Sequence, residues 1–279
     1  MAPATLYIIA TPIGNLEDIT YRAVRILGEV DLIAAEDTRH SLKLLSHFGI
    51  SKPLTSYFDH NQQIKGERIL NALRQGKSVA LISDAGTPCI SDPGYQLVRD
   101  AVAENIPVVP VPGACAAVAA LSASGLPTDS FTFAGFPPSR QGKRRTFLIG
   151  MNALPGTLVL YEAPHRLIDT LSDIREVLGE RQVIVARELT KMFEECIRGT
   201  VSEVITAVSH VVVRGEVVLL VAPGEVVPLE CEPLAEVLSR LMADGNLSIK
   251  DIAKQAAAVS GISRSEAYAE ALRLKNEHN

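Results

Sequence analysis

No part of this chain is apolar for long enough to cross a bilayer. Its most hydrophobic runs, residues 211–213 and 217–222, fall far short of the ~20 residues that a spanning helix needs. Residues 1–10 lack the basic flank and long apolar stretch of a secretory signal. Cysteine is scarce: Cys89, Cys115, Cys196 and Cys231 are scattered and form no C-x-x-C pair. That spacing argues against both a zinc site and a disulfide framework, so no metal is expected. The expectation is a reduced, cytoplasmic protein with no membrane partner.

Positive charge is also in short supply. Lys and Arg number 27 against 32 Asp and Glu, a formal net charge of −5. A nucleic-acid partner would have to be met by a local basic patch rather than by the global field. The common nucleotide signatures are missing too. There is no G-x-G-x-x-G after a strand and no G-x-x-x-x-G-K-[ST], which argues against ordinary NAD or ATP chemistry.

What remains is a globular chain of 279 residues, 47% hydrophobic and 21% charged, long enough for two cores. Its first half alternates β-branched runs at 6–10, 32–35, 54–57, 79–83 and 108–111 with helical patterns at 18–30, 41–48, 64–75, 93–104 and 114–124. That alternation predicts a mainly parallel sheet with helices on both faces. Asp92-Pro93 reads as an N-cap followed by proline at the first helical position. After the break at residues 126–129 a second α/β unit is expected, with strands at 131–136, 158–161, 183–186 and 217–221. A proline-bearing linker at 223–233 precedes helical patterns at 234–243, 249–259 and 264–275. Gly261 suits the last turn between them, and Ser263 with Glu266 fits a capping box. The domain limits predicted are 1–127, 128–226 and 233–279.

In open parallel sheets ligands bind beyond the carboxyl ends of the strands. Loops 11–15, 36–40, 58–61, 84–91 and 112–115 leave those ends. The longest reads Ser83-Asp84-Ala85-Gly86-Thr87-Pro88-Cys89-Ile90-Ser91-Asp92-Pro93-Gly94. It exceeds the ~2–6 residues of an ordinary βα turn, which points to binding. Gly86 permits close backbone approach to a ligand, and Pro88 stiffens the turn.

This segment resembles the signature of the bacterial small-subunit ribosomal RNA cytidine-2′-O-methyltransferases, a branch of the tetrapyrrole (corrin and porphyrin) methylase superfamily. The resemblance continues through Ala10-Thr11-Pro12-Ile13-Gly14-Asn15-Leu16, Ala35-Glu36-Asp37-Thr38-Arg39 and Pro110-Val111-Pro112-Gly113-Ala114-Cys115-Ala116. Tyr161-Glu162-Ala163-Pro164-His165-Arg166 and Arg187-Glu188-Leu189-Thr190-Lys191 complete it. It implies two α/β domains in a bilobed fold with a small helical C-terminal domain, a homodimer, and S-adenosylmethionine bound in the cleft. By position, cofactor contacts carry over to Pro12, to Ser83, Asp84, Ala85, Gly86 and Thr87, and to Pro112, Gly113, Ala114, Cys115 and Ala116. Tyr161, Glu162 and Ala163 would add contacts from the second domain. Cys115 and Ala116 stand where superfamily members often place a small hydroxyl residue. The partner implied is 16S ribosomal RNA in the small ribosomal subunit.

Methyl transfer to a ribose hydroxyl needs an acceptor for the hydroxyl proton. Asp84, Glu162, His165 and Lys191 are the candidates, with Glu36, Asp37 and Glu188 on neighbouring loops. Lys191 qualifies only if burial or a cationic neighbour depresses its pKa. Asp37 and Arg39 equally fit a structural ion pair. His165 could be a mere packing or capping residue, and positioning alone could carry the reaction. The basic run Arg140, Lys143, Arg144 and Arg145 reads either as a solvated loop or as a mobile arm that neutralises RNA phosphates. Two other readings stay open: a corrin or porphyrin methylase using the same cofactor, and a helix-turn-helix nucleic-acid binder with no turnover.

Overall fold

The computed structural model describes residues 4–58, 62–210, 215–224, 233–243, 247–260 and 262–277. They fall into two compact units, residues 1–224 and 225–279. The first unit holds two five-stranded sheets.

Strands β1 (Leu6–Ile9), β2 (Leu32–Ala35), β3 (Leu54–Ser56), β4 (Val79–Ile82) and β5 (Val108–Val111) form the first sheet in the order β3-β2-β4-β1-β5, every pair parallel. β4 is buried along its whole length, as a central strand covered on both faces must be. Between the strands run α1 (Tyr21–Glu29), α2 (Thr38–His47), α3 (Gln62–Arg74), α4 (Tyr95–Ala103) and α5 (Ala116–Ser122). Local chemistry sets several of their starts. Thr20 caps α1 by accepting from the Ala23 N–H at 3.1 Å, and Asp37 caps α2 by accepting from that of Arg39 at 2.8 Å. The expected cap at Asp92 does not form, and α4 begins instead at Tyr95 behind Gly94. Cys89 and Ser91 take left-handed φ values of 71° and 65°, so the chain is still turning where the sequence reads as a helix start.

The second sheet contains β6 (Phe131–Phe133), β7 (Thr157–Glu162), β8 (Gln182–Arg187), β9 (Glu195–Thr200) and β10 (Val217–Val221), ordered β6-β7-β10-β8-β9. It is mixed: β10 runs antiparallel to both β7 and β8. β9 is absent from the sequence reading because, as a sheet edge with no fully buried residue, it lacks an apolar alternation. Three helices belong to this half: α6 (Gln141–Asn152), α7 (Leu167–Leu178) and α8 (Val201–Ser209). A capping box between Thr200 and Glu203 starts α8. α5 packs Ala117, Ala120 and Leu121 against Val159, Ile184 and Val218, joining the first half to the second sheet.

The basic run is no mobile arm; it forms the start of α6. Arg144 lies one turn before the buried Leu148 and shares its inward face. Its side chain is 3% exposed and meets the Asp173 carboxylate at 2.7 Å. Arg145 is paired with Asp173 and with Glu176. Arg144 is thereby withdrawn from any RNA contact and Arg145 is largely committed, whereas Arg140 and Lys143 stay exposed.

The second unit contains α9 (Leu234–Ala243), α10 (Ile249–Ser260) and α11 (Arg264–Glu277) around Val237, Leu238, Ile252, Ala256 and Ala271. Ser263 and Glu266 form the expected capping box: the Glu266 N–H donates to the Ser263 hydroxyl, and the Ser263 N–H donates to the Glu266 carboxylate. Most of the predicted linker, Gly261, Cys231 and residues 59–61 of the third loop lie outside the described residues.

Candidate active site

Because β1 to β5 are parallel, the loops leaving their carboxyl ends gather at one edge, and hydrogen bonds tie them together. Thr11 and Gly86 exchange backbone bonds of 2.9 and 3.1 Å, and the Thr11 hydroxyl donates to the Ser83 carbonyl at 3.1 Å. The Thr87 hydroxyl donates to the Ala114 carbonyl at 3.1 Å. Asp84 accepts the Asp37 N–H at 3.1 Å. Left-handed φ values at Cys89 and Ser91 in one loop, and at Glu188 and Thr190 in another, store strain of ~1–3 kcal/mol each beside the same edge.

Two cavities open there. The first, of about 440 Å³, lies between the sheets. Ile13, Ile90, Phe136, Val217 and Val218 give it apolar walls. Glu36, Asp84, Asp92 and Glu216 give it acidic lining, beside Glu162 whose own carboxylate is buried, and no Lys, Arg or His lines it among the described residues. The second, of about 320 Å³, shares Ile13, Asp84, Ala85 and Glu216 with the first. Its lining adds His40, Lys43 and Lys191, so its character is different.

The predicted site residues divide between them. Asp84, Ala85, Gly86, Thr87, Cys115, Ala116, Tyr161, Glu162 and Ala163 line the first cavity. Pro12, Ser83 and Lys191 line only the second. Pro112, Gly113 and Ala114 line neither. Gly113 instead packs on Ala10, just past β1, where an added Cβ would stand 2.9 Å from the Ala10 Cβ. His165 is exposed in the short 3₁₀ turn Pro164–Arg166 and lines neither cavity.

Of the candidate bases, Glu162 is committed elsewhere. It is 2% exposed, accepts the Ala163 N–H at 2.8 Å and the Thr170 hydroxyl at 2.5 Å, and pairs with Arg166 at 3.2 Å. Lys191 fails its own condition. Burial pulls its pKa down, but ion pairs with Glu188 at 2.9 Å and Glu216 at 3.3 Å outweigh that and hold it above the ordinary lysine value. Asp37 pairs with Arg39, as its structural reading has it. Tyr161 is neutral: burial first, then Cys115, push its pKa up to about 12, and its hydroxyl accepts the Ala117 N–H. Asp84 alone among the four candidates sits on the wall common to both cavities.

Residues 5–205 match the sequence profile of the tetrapyrrole (corrin/porphyrin) methylases. The chain belongs to this family. It is 48% identical to the ribosomal RNA small subunit methyltransferase I of Pseudomonas aeruginosa over 288 residues, covering 99% of this chain and 100% of that one. The enzyme of the same name from Halalkalibacterium halodurans is 48% identical over 270 residues, covering 95% and 93%. In three dimensions the chain is similar to a uroporphyrin-III C-methyltransferase of Thermus thermophilus solved with S-adenosyl homocysteine. That match has a TM-score of 0.55 at 21% identity and covers 80% of this chain and 99% of that one. Diphthine synthase matches with a TM-score of 0.60 at 12% identity, covering 79% and 90%. These two likenesses establish the methylase fold.

The methylase family implies a methyl donor, and the first cavity suits it. Its volume lies within the ~300–1,000 Å³ of small-molecule sites. S-adenosylmethionine carries a positive sulfur and an ammonium, and the carboxyl-rich lining without a cation complements both. A nucleoside phosphate would meet like charge there and be repelled. Within the methylase fold, Phe136 and Gly215 to Val218 also line this cavity, and the sequence reading missed them. The carboxyl ends of parallel strands do not lead to the last four, because β10 is antiparallel to its neighbours. Its first residue, Val217, pairs with Glu162 and Arg187 at the ends of β7 and β8.

Proposed function

We infer that the chain is an S-adenosylmethionine-dependent methyltransferase acting on ribosomal RNA, and that its product is the 2′-O-methylated ribose of a cytidine in the small subunit. The observation that carries this reading is the pairing of a cation-seeking cavity with a lysine-lined one across a single wall. The carboxylates of a tetrapyrrole would also suit those lysines, so the choice of RNA rests on the near-full-length likeness to the ribosomal RNA methyltransferases. When bound, S-adenosylmethionine supplies a methyl group on positive sulfur. Ile13, Ile90, Phe136, Val217 and Val218 would hold its apolar parts, and Glu36 and Asp92 its polar groups. Asp84, fixed by the Asp37 N–H, would take the proton that the ribose hydroxyl gives up. The tied loops supply alignment, which can be worth ~7–11 kcal/mol. Arg140 and Lys143 would meet RNA phosphates outside the cavities.

No helix among the described residues is long and apolar enough to cross a membrane; a ribosomal RNA substrate would place the work of this protein in the cytoplasm. A homodimer would cover exposed apolar side chains such as Met192, 90% exposed, and Phe193, 71% exposed. Light scattering of the purified protein reads that mass directly. The functional test is incorporation of tritiated methyl from the cofactor. Small ribosomal subunits from a strain deleted for the gene should be labelled, at a cytidine ribose, and a tetrapyrrole precursor should not. Label on the tetrapyrrole alone would reverse the assignment.

A further inference from the structure

We propose that the second cavity receives the target ribonucleotide, with its ribose toward the Asp84 wall and its adjoining phosphate held by Lys191 and Lys43. The inference rests on the RNA methyltransferase reading. A duplex conceals its nucleotides, so chemistry on one of them requires it to be extruded or single-stranded and received in a pocket. A nucleotide there needs cations for phosphate and hydrogen-bonding groups for sugar and base, and the cavity has both.

Ser41 and Ser83 are among its lining residues, 2% and 3% exposed, and their buried hydroxyls have no hydrogen-bond partner within the protein. Buried hydroxyls are ordinarily satisfied, so a pair of orphans in one cavity marks a place where a ligand completes the network. Lys191 is held charged. Its bond to Glu188 is 2.9 Å, whereas Glu216, 3.3 Å away with a side chain 75% exposed, is free to give way to a phosphate. Gly14 belongs to the same arrangement, since any side chain there would overlap the Lys191 Cγ. The wall shared with the first cavity leaves a 2′-hydroxyl in this cavity facing the compartment of the methyl donor.

The test compares the parent with Ser41→Ala, Lys43→Gln and Leu16→Trp in single-turnover methyl transfer to unmethylated small subunits. Leu16 lines only the second cavity, so tryptophan there fills it without entering the first. All three variants should bind S-adenosylhomocysteine like the parent in calorimetry. Lys43→Gln should raise the half-saturating subunit concentration about 10-fold or more, the weight of a charge-assisted hydrogen bond. Leu16→Trp should abolish transfer. Ser41→Ala should slow transfer while melting no lower than the parent, because it removes an orphan hydroxyl. A purely structural serine would do the reverse. If all three variants transfer at the parent rate, the cavity assignment fails and the functional reading stands. If the parent itself labels neither subunits nor free ribosomal RNA, both fail.

Discussion

The guanidinium of Arg144 and the carboxylate of Asp173 meet at 2.7 Å with side chains 3% and 1% exposed. Removing Arg144 leaves the buried carboxylate to the half-exposed Arg145 and to Gln141, at a cost of up to ~3–5 kcal/mol. Arg144→Gln should therefore lower the melting temperature sharply and leave the salt dependence of RNA binding unchanged. A variant that melts like the parent but loses salt-sensitive binding would return Arg144 to the RNA surface.

The same pair fixes a pH dependence. Burial alone would raise the Asp173 carboxyl, but hydrogen bonds from Arg145 and Arg144, with Gln141, hold it below the usual aspartate range. A depressed folded-state pKa stabilises fully above the unfolded value of ~3.9 and ceases to stabilise as pH falls through the folded value. Denaturant midpoints of the parent should thus fall below about pH 4. Asp173→Asn should start lower at neutral pH and lose less over that acid window. Parallel curves for the two proteins would remove Asp173 as a source of acid sensitivity.

Asp84 is the residue whose loss should separate binding from chemistry. Asparagine keeps an oxygen for the Asp37 N–H and removes the carboxylate proposed as proton acceptor. Asp84→Asn should lower single-turnover transfer by ~10²–10⁴-fold and change S-adenosylhomocysteine affinity little. A rate within a few-fold of the parent would leave positioning as the whole of catalysis.

Gly113 tests why the loop after β5 needs glycine. With Ala10 in the way, Gly113→Val should overpack the junction of β1 and β5, at ~1–3 kcal/mol. Melting should drop, and cofactor binding should weaken only as a consequence. Intact melting with lost binding would instead mean that the ligand itself approaches Gly113.

These cases show what the sequence could and could not disclose. All five strands of the parallel sheet were legible, because each is a short apolar run between helical patterns, and their loops led directly to Asp84 and Thr87. The mixed sheet was harder. Nothing in Val217–Val221 states its direction, so sequence alone does not place the start of β10 at the site. Arg144 misled for a different reason: a cluster of basic residues reads as surface until its buried partner, 29 positions along the chain, is in view. The difference between the two cavities rests on Glu36 and Asp92 lining only the first and Lys43 and Lys191 only the second, which no local motif carries.

Arg140 and Lys143 are the members of the basic run left exposed at the start of α6, and they should contribute to RNA affinity without touching chemistry. Each phosphate neutralised on single-stranded RNA releases counterions, with a slope of about −0.7 in log affinity against log salt. Replacing both by glutamine should flatten the slope for small-subunit binding by roughly 1 to 2 units and weaken binding most at low salt. S-adenosylhomocysteine affinity should not move, because neither residue lines the first cavity. The single-turnover rate at saturating subunits should also hold, as these contacts are made equally before and during the reaction. The measurement is a salt series of subunit binding for parent and double variant side by side. Coincident slopes and affinities would mean that the start of α6 is only a solvated helix end, and the RNA surface would then have to be sought in the helical unit carrying Arg264 and Arg273.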